Sequence, residues 1–172
     1  MALKNKAVFL DRDGVINIDK GYVFKINDFD FVDKIFKVLN YFKDDYLLFI
    51  ITNQSGVARG YYSEKDIKIL HQWLTNNLAK KGISIQEIFY CPHHPKFDFE
   101  CNCRKPKPGM IINAKNKYNL DLNNSILIGD KSTDIESGKN AGILNLIKVE
   151  KNDLSNALNF IIEFNKKTKD SI

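Results

Sequence analysis

The sequence has little with which to cross a membrane and little with which to staple a fold. No run approaches the roughly 18 uninterrupted apolar residues of a membrane span. The N-terminal MALKNKAVFLDRD lacks the apolar core and small-residue cleavage site of a secretory signal, so the expectation is a cytoplasmic protein without a membrane partner. Cysteines number only three, all between residues 91 and 103. An odd, clustered set fits a metal site in a reducing compartment better than a disulfide framework. No repeat, low-complexity run or linker divides the 172 residues, 44% of them apolar. One domain over 1–172 is expected, long enough to bury a core unaided. Charge is also nearly balanced: 26 Lys plus Arg against 21 Asp plus Glu leave an excess of five. That excess suits an anionic small molecule such as a phosphate ester. Part of it lies in the C-terminal KKTKD, expected to be a solvated tail. No basic stripe with interleaved aromatics is present, so nucleic acid is not an expected partner.

Apolar runs that could form buried strands are AVFLD (7–11), YLLFIIT (46–52), EIFYC (87–91), SILIGD (125–130) and LNLIKV (144–149). Helical spacing lies between most of them: Ile35, Val38, Leu39 and Phe42; then Ile67, Leu70, Leu74 and Leu78, with a start at Ser63 and a stop at Gly82; then Met110, Ile111, Ala114 and Tyr118; and finally Leu154, Leu158, Ile161 and Ile162. Strands that are apolar throughout, rather than alternating, indicate a parallel sheet covered on both faces. The expected fold is therefore a doubly wound, mainly parallel α/β domain. Ligands of such sheets bind beyond the carboxyl ends of the strands. Asp11 and Asp13, Thr52 and Asn53, and Asp130 would all meet there.

Two aspartates at the end of a buried strand, in LDRDGVIN (10–17), could belong to a turn or a calcium loop. A calcium loop starting at Asp11 requires an oxygen ligand, Gly and Glu where this chain has Val15, Ile16 and Tyr22. That reading fails. A plain turn would leave Thr52 and Asp130 as coincidences.

LDRDGVIN, ITNQSG (51–56), RKPKP (104–108) and GDKSTD (129–134) together resemble the four ordered motifs of the haloacid dehalogenase-like (HAD-like) phosphatases. The resemblance covers residues 6 to about 149. More narrowly, GYV (21–23), TNQSGVARGYY (52–62), CPHHP (91–95) and CNCRKPKPGM (101–110) resemble the D-glycero-D-manno-heptose 1,7-bisphosphate 7-phosphatases, which share a branch with the histidinol-phosphate phosphatases. The resemblance implies a capless Rossmannoid domain with a zinc-ordered loop.

It also implies a chemistry in nucleotide-heptose biosynthesis, on the way to lipopolysaccharide or another heptose glycan. Asp11 would attack phosphorus and become an aspartyl phosphate, while Asp13 would protonate the leaving alkoxide and then activate water. Magnesium would be held by Asp11, Asp130 and the backbone carbonyl of Asp13. Thr52 and the Asn53 N–H would bind the phosphoryl oxygens, Lys105 would neutralise them, and Lys131 and Asp134 would support the cluster. Substrate contacts are expected from Arg12, Asp19, Lys20, Gly21, Tyr22, Asn53, Gln54, Ser55, Arg104 and Lys131. Of these, Asp19–Tyr22 would flank the sugar and Arg104 would bind a second phosphate.

Cys91, His93, Cys101 and Cys103 read C-x-H, seven residues, then C-x-C, a set able to close a tetrahedral, structural zinc site. His94 is the rival imidazole. His71, in the second helix, reads as a surface or boundary residue. Zinc would order the loop that carries Arg104 and Lys105. The partner expected is a small sugar phosphate, and the protein a monomer. A histidinol-phosphate phosphatase is the nearest alternative, and a nucleic-acid-end phosphatase a more distant one. PGM after RKPK, ARGYY and GYV favour the heptose reading.

Overall fold

The computed structural model describes residues 4–169, with side chains of the last helix described through residue 164. Five strands form one parallel sheet: β1 (Ala7–Leu10), β2 (Leu47–Asn53), β3 (Ile85–Cys91), β4 (Ile126–Gly129) and β5 (Asn145–Lys148), in the order β3-β2-β1-β4-β5. The helices between and after them are α1 (Ile35–Phe42), α2 (Glu64–Ala79), α3 (Gly109–Tyr118), α4 (Ser132–Ala141) and α5 (Ser155–Lys169).

The uninterrupted apolar strands follow from cover on both faces. Along β1, Val8 and Leu10 face one layer, with α1, α2 and α5, while Ala7 and Phe9 face the other, with α3 and α4. Ser63 starts α2 through a capping box, accepting from the Asp66 N–H while Asp66 accepts from its own. The helix stops at Ala79, ahead of the expected Gly82, which takes the left-handed conformation of the closing turn. Strand β3 begins two residues before the EIFYC run. The backbone of the KKTKD stretch continues α5 to Lys169; its side chains and its last residue lie outside the described residues.

Winding runs outward from β1 to β3, then crosses back to β4, so the sheet reverses direction between β1 and β4. Leu10 pairs with Ile128 across that reversal, which sets Asp11 and Asp130 side by side at the carboxyl edge. On the other flank Asn53 pairs with Cys91, so the same edge carries the start of the cysteine loop. Residues 11–34 hold only one short turn of 3-10 helix (Ile26–Asp28), and 92–108 hold no helix or strand. Neither segment inserts a cap. Among the described residues no helix is long and apolar enough to cross a membrane.

Candidate active site

Carboxylate oxygens of Asp11, Asp130 and Asp134 converge within 4.8 Å of one another. Into them reaches Lys105, only 3% exposed, with Nζ 2.7 Å from Asp11 Oδ1, 2.7 Å from Asp134 Oδ1 and 2.8 Å from the Ile51 carbonyl. Asp11 and Asp134 thus share the Lys105 ammonium, the Lys131 charge acts on Asp130 and Asp11, and Asp130 Oδ1 is buried with no hydrogen-bond partner. Burial, reinforced by Asp134 and Asp13, outweighs the Lys105 ammonium and pushes the Asp11 carboxyl up to about 7. Burial would lower the Lys105 ammonium, but Asp11 and Asp134 hold it above its ordinary range. Surplus negative charge and an orphaned hard oxygen fit a magnesium ion. Gly14 makes room for the Asp130 carboxylate: with φ at +95°, a Cβ there would lie 2.5 Å from Asp130 Oδ2.

Lys105 is delivered from the far side of the sheet edge by the Asn53 side chain. Its amide accepts from the Lys105 N–H and donates to the Lys105 carbonyl, both at 3.1 Å. Asp134 also accepts from the Lys131 N–H at 3.0 Å, capping α4 with the oxygen not used for Lys105. Asp13 stands apart from this cluster. Its carboxylate accepts from Arg12 at 2.9 Å to both oxygens, from Asn17 at 3.0 Å and from Gln54 at 2.9 Å.

Two of the residues expected to contact substrate have buried side chains. Arg12 is 0% exposed and its guanidinium is spent inside the protein on Asp13, the Val23 carbonyl and His71. Only its Nε has no hydrogen-bond partner. Gln54 is likewise buried: its amide donates to Asp13 and Thr52 and accepts from the Tyr62 hydroxyl. Thr52 is itself buried, its hydroxyl oxygen taken by that amide and its O–H left to donate. His71, expected at the surface or a boundary, is buried against Arg12.

At the rim, Asp19 Oδ2 lies 3.6 Å from Lys131 Nζ and 3.4 Å from Lys151 Nζ, while its other oxygen accepts from the Gly21 N–H. Lys20 pairs with Asp30 at 2.6 Å. Tyr22 is exposed and meets Tyr61 edge-on, and Ser55 is half-buried. Sequence reasoning missed Arg59, although it quoted the segment. The Arg59 guanidinium sits 4.2 Å from the Phe97 ring and 5.9 Å from that of Tyr22, joining the cysteine loop to the 19–22 segment. It missed Asn152 too, which donates its N–H to Gly14 and accepts from the Asp19 N–H.

The three thiols come together, with Sγ separations of 2.8, 3.1 and 3.4 Å and no disulfide. Atoms so spaced can all lie about 2.3 Å from one point, the zinc–thiolate distance. The expected fourth ligand does not join them: the His93 imidazole lies outside the thiol cluster. Its Nδ1 is 2.8 Å from Asp98 and its ring packs on Phe99, an arrangement that fixes the ring by its neighbours and keeps Nε2 free. His94 lies against Arg59 instead. Arg104 donates to the His93 carbonyl at 3.1 Å, and Gly109 lets α3 start directly beneath the loop, where a Cβ would strike the Asn102 carbonyl at 2.1 Å.

Comparison with known proteins agrees with this geometry. A HAD-hydrolase-like family model matches residues 102–151. A D-glycero-alpha-D-manno-heptose-1,7-bisphosphate 7-phosphatase of Campylobacter jejuni is 53% identical over 86% of this chain and 84% of its own. A D-glycero-beta-D-manno-heptose-1,7-bisphosphate 7-phosphatase of Pasteurella multocida is 46% identical over 84% and 82%. Among solved structures, the D,D-heptose 1,7-bisphosphate phosphatase of B. bronchiseptica complexed with magnesium and phosphate superposes with a TM-score of 0.72 at 33% identity, over 80% of this chain and 76% of that one. The sheet reversal, the acidic cradle with its lysine, the thiol loop and these relatives place the chain in the heptose-1,7-bisphosphate 7-phosphatase family of the HAD-like hydrolases.

Proposed function

We propose that the chain removes the 7-phosphate of D-glycero-D-manno-heptose 1,7-bisphosphate, and the observation that carries this is the Lys105 ammonium set 2.7 Å from Asp11 in an otherwise acidic cradle. An Asp11 oxygen forms a bond to phosphorus as the ester P–O bond breaks, and the departing alkoxide takes a proton from Asp13. Water then attacks phosphorus and gives a proton to Asp13, which releases inorganic phosphate and restores Asp11. Thr52, the Asn53 N–H and Lys105 bind the oxygens on which charge collects. Magnesium, which Asp11, Asp130 and the Asp13 carbonyl would hold, supplies charge neutralisation between the two anions when bound. Cys91, Cys101 and Cys103 would hold a structural zinc, with the His93 imidazole, which here lies outside the thiol cluster, turning in as the fourth ligand, and the closed site would order the loop that presents Arg104 and Lys105.

Three free thiols suit a reducing compartment, and the reading is of a one-domain monomer acting in the cytoplasm. Phosphate release across both anomers of heptose 1,7-bisphosphate, sugar monophosphates and histidinol phosphate tests it. The expected result is the highest kcat/KM for a bisphosphate, with the 7-phosphate lost. Preference for histidinol phosphate would replace the substrate assignment by its nearest alternative.

A further inference from the structure

Behind Asp13 lies a polar chain that the reaction above does not use. Arg12 Nη2 is 2.9 Å from both Asp13 oxygens and 2.6 Å from the Val23 carbonyl, and Nη1 is 3.2 Å from His71 Nε2. His71 sits on α2, 59 residues away along the chain, 7% exposed and edge-on to Tyr90. A guanidinium has only donors, so Nε2 must be the acceptor and the ring proton sits on Nδ1. Burial, with the Arg12 charge, also pushes the imidazole down to about 3, which keeps it an acceptor at working pH.

Two amides, Asn17 and Gln54, also hold Asp13, but each grips a single oxygen. Arg12 alone bridges both, and its own orientation is set at the other end of the fork by His71. We infer that His71 is a positioning residue for the general acid: by accepting from Arg12 Nη1 it turns the fork so that Nη2 holds the Asp13 carboxyl toward the leaving oxygen.

The inference rests on the general-acid role proposed for Asp13, so the test separates the two. A sugar alkoxide needs a proton to leave, whereas p-nitrophenolate leaves without one. The magnesium-loaded enzyme is assayed by rapid quench for phosphoryl transfer from heptose 1,7-bisphosphate, and by stopped flow for the nitrophenolate burst from p-nitrophenyl phosphate. Asp13→Asn should slow the sugar ester by about 10²- to 10⁴-fold and largely spare the burst. His71→Leu should show the same split at smaller size, about tenfold or more on the sugar ester and within about threefold on the burst. His71→Gln, whose Oε1 can take the place of Nε2, should restore the sugar ester rate.

Equal loss on both esters in His71→Leu, or no loss on either while Asp13→Asn keeps its split, would overturn the inference and leave the function standing. An Asp13→Asn enzyme without the split would remove the general-acid reading, and the inference with it. Should His71→Leu fail to fold by circular dichroism, Arg12→Lys, which keeps the buried charge but not the fork, carries the same comparison.

Discussion

The acidic cradle and the thiol loop lie at adjacent strand ends yet are built on opposite principles. The cradle grows from the ends of two paired central strands, with its lysine 3% exposed and one carboxylate oxygen left unpartnered. The loop leaves the edge strand β3, exposes Phe97 and Phe99, and gathers soft sulfur ligands around one point. Hard oxygens with a free position suit an exchangeable ion that takes part in chemistry. Three thiolates suit a tightly held ion that replaces the core a loop of this kind lacks. The two meet in a single dipeptide, Arg104–Lys105, whose first residue bonds the loop and whose second enters the cradle. Rigidity is thus borrowed from the sheet for the reacting groups, and from the metal loop for the groups that must reach them across open surface.

The sharpest way to break the comparison is to remove the residue both regions share. Lys105→Ala should slow every phosphate ester by about 10²- to 10³-fold, because the transferring oxygens lose their fixed charge. Steady-state kinetics on a sugar bisphosphate and a monophosphate measure it, and loss confined to one of them would contradict the shared role. Disrupting the loop alone should have a smaller effect on the same groups. The double variant Cys101→Ser, Cys103→Ser should lose its zinc by elemental analysis and about 10²-fold in kcat/KM, through misplacement of Lys105 and Arg104. In the wild type, EDTA should strip magnesium quickly and about one zinc per chain only slowly. Unaltered activity in the double variant would show that the cradle does not need the loop.

A narrower cut separates the two residues of the dipeptide. Arg104→Ala should weaken kcat/KM for a bisphosphate by about 1.5 to 3 kcal/mol and barely change a monophosphate. Equal losses would place Arg104 with Lys105 in the cradle.

The smallest effect is on stability. The unfolded Asp11 carboxyl titrates near 3.8 and the folded one at about 7. Between those values the folded metal-free protein keeps a proton that the unfolded chain has lost. Its stability therefore falls as pH rises through that window, and the deficit is complete above it. Magnesium favours the ionised carboxylate, so it should raise Tm more at about pH 8 than at about pH 5, by roughly 2–4 °C per kcal/mol regained. Equal shifts at both pH values, in calorimetry with and without magnesium, would detach Asp11 from the ion.

Much of this contrast was legible in the sequence, for reasons that also explain what was not. Apolar runs that end in aspartate mark Asp11 and Asp130 because a parallel sheet puts its polar residues at the strand ends. The Ser63 start of α2 is local chemistry, and the thiols stand out by spacing alone. The burial of Arg12 was not legible because an arginine beside an acidic motif ordinarily faces solvent. Its burial depends on His71, 59 residues on, and on the Val23 carbonyl, contacts that no local pattern encodes. The partners of Gln54 and Lys20, Tyr62 and Asp30, are hidden for the same reason: they are set by how the loops fold back. The His93 ring is placed by Asp98 and Phe99, within a loop whose conformation has no sequence period to reveal it.

The central claim is that the cradle makes Asp11 the nucleophile, and trapping the intermediate tests it most directly. Magnesium-loaded enzyme mixed with heptose 1,7-bisphosphate, quenched in acid within its first turnover and digested, should yield the peptide containing Asp11 heavier by one phosphoryl group. The Asp11→Asn protein should yield only the unmodified peptide, with turnover reduced by about 10⁴-fold or more. A phosphoryl group on another residue, or near-normal turnover in Asp11→Asn, would contradict the account.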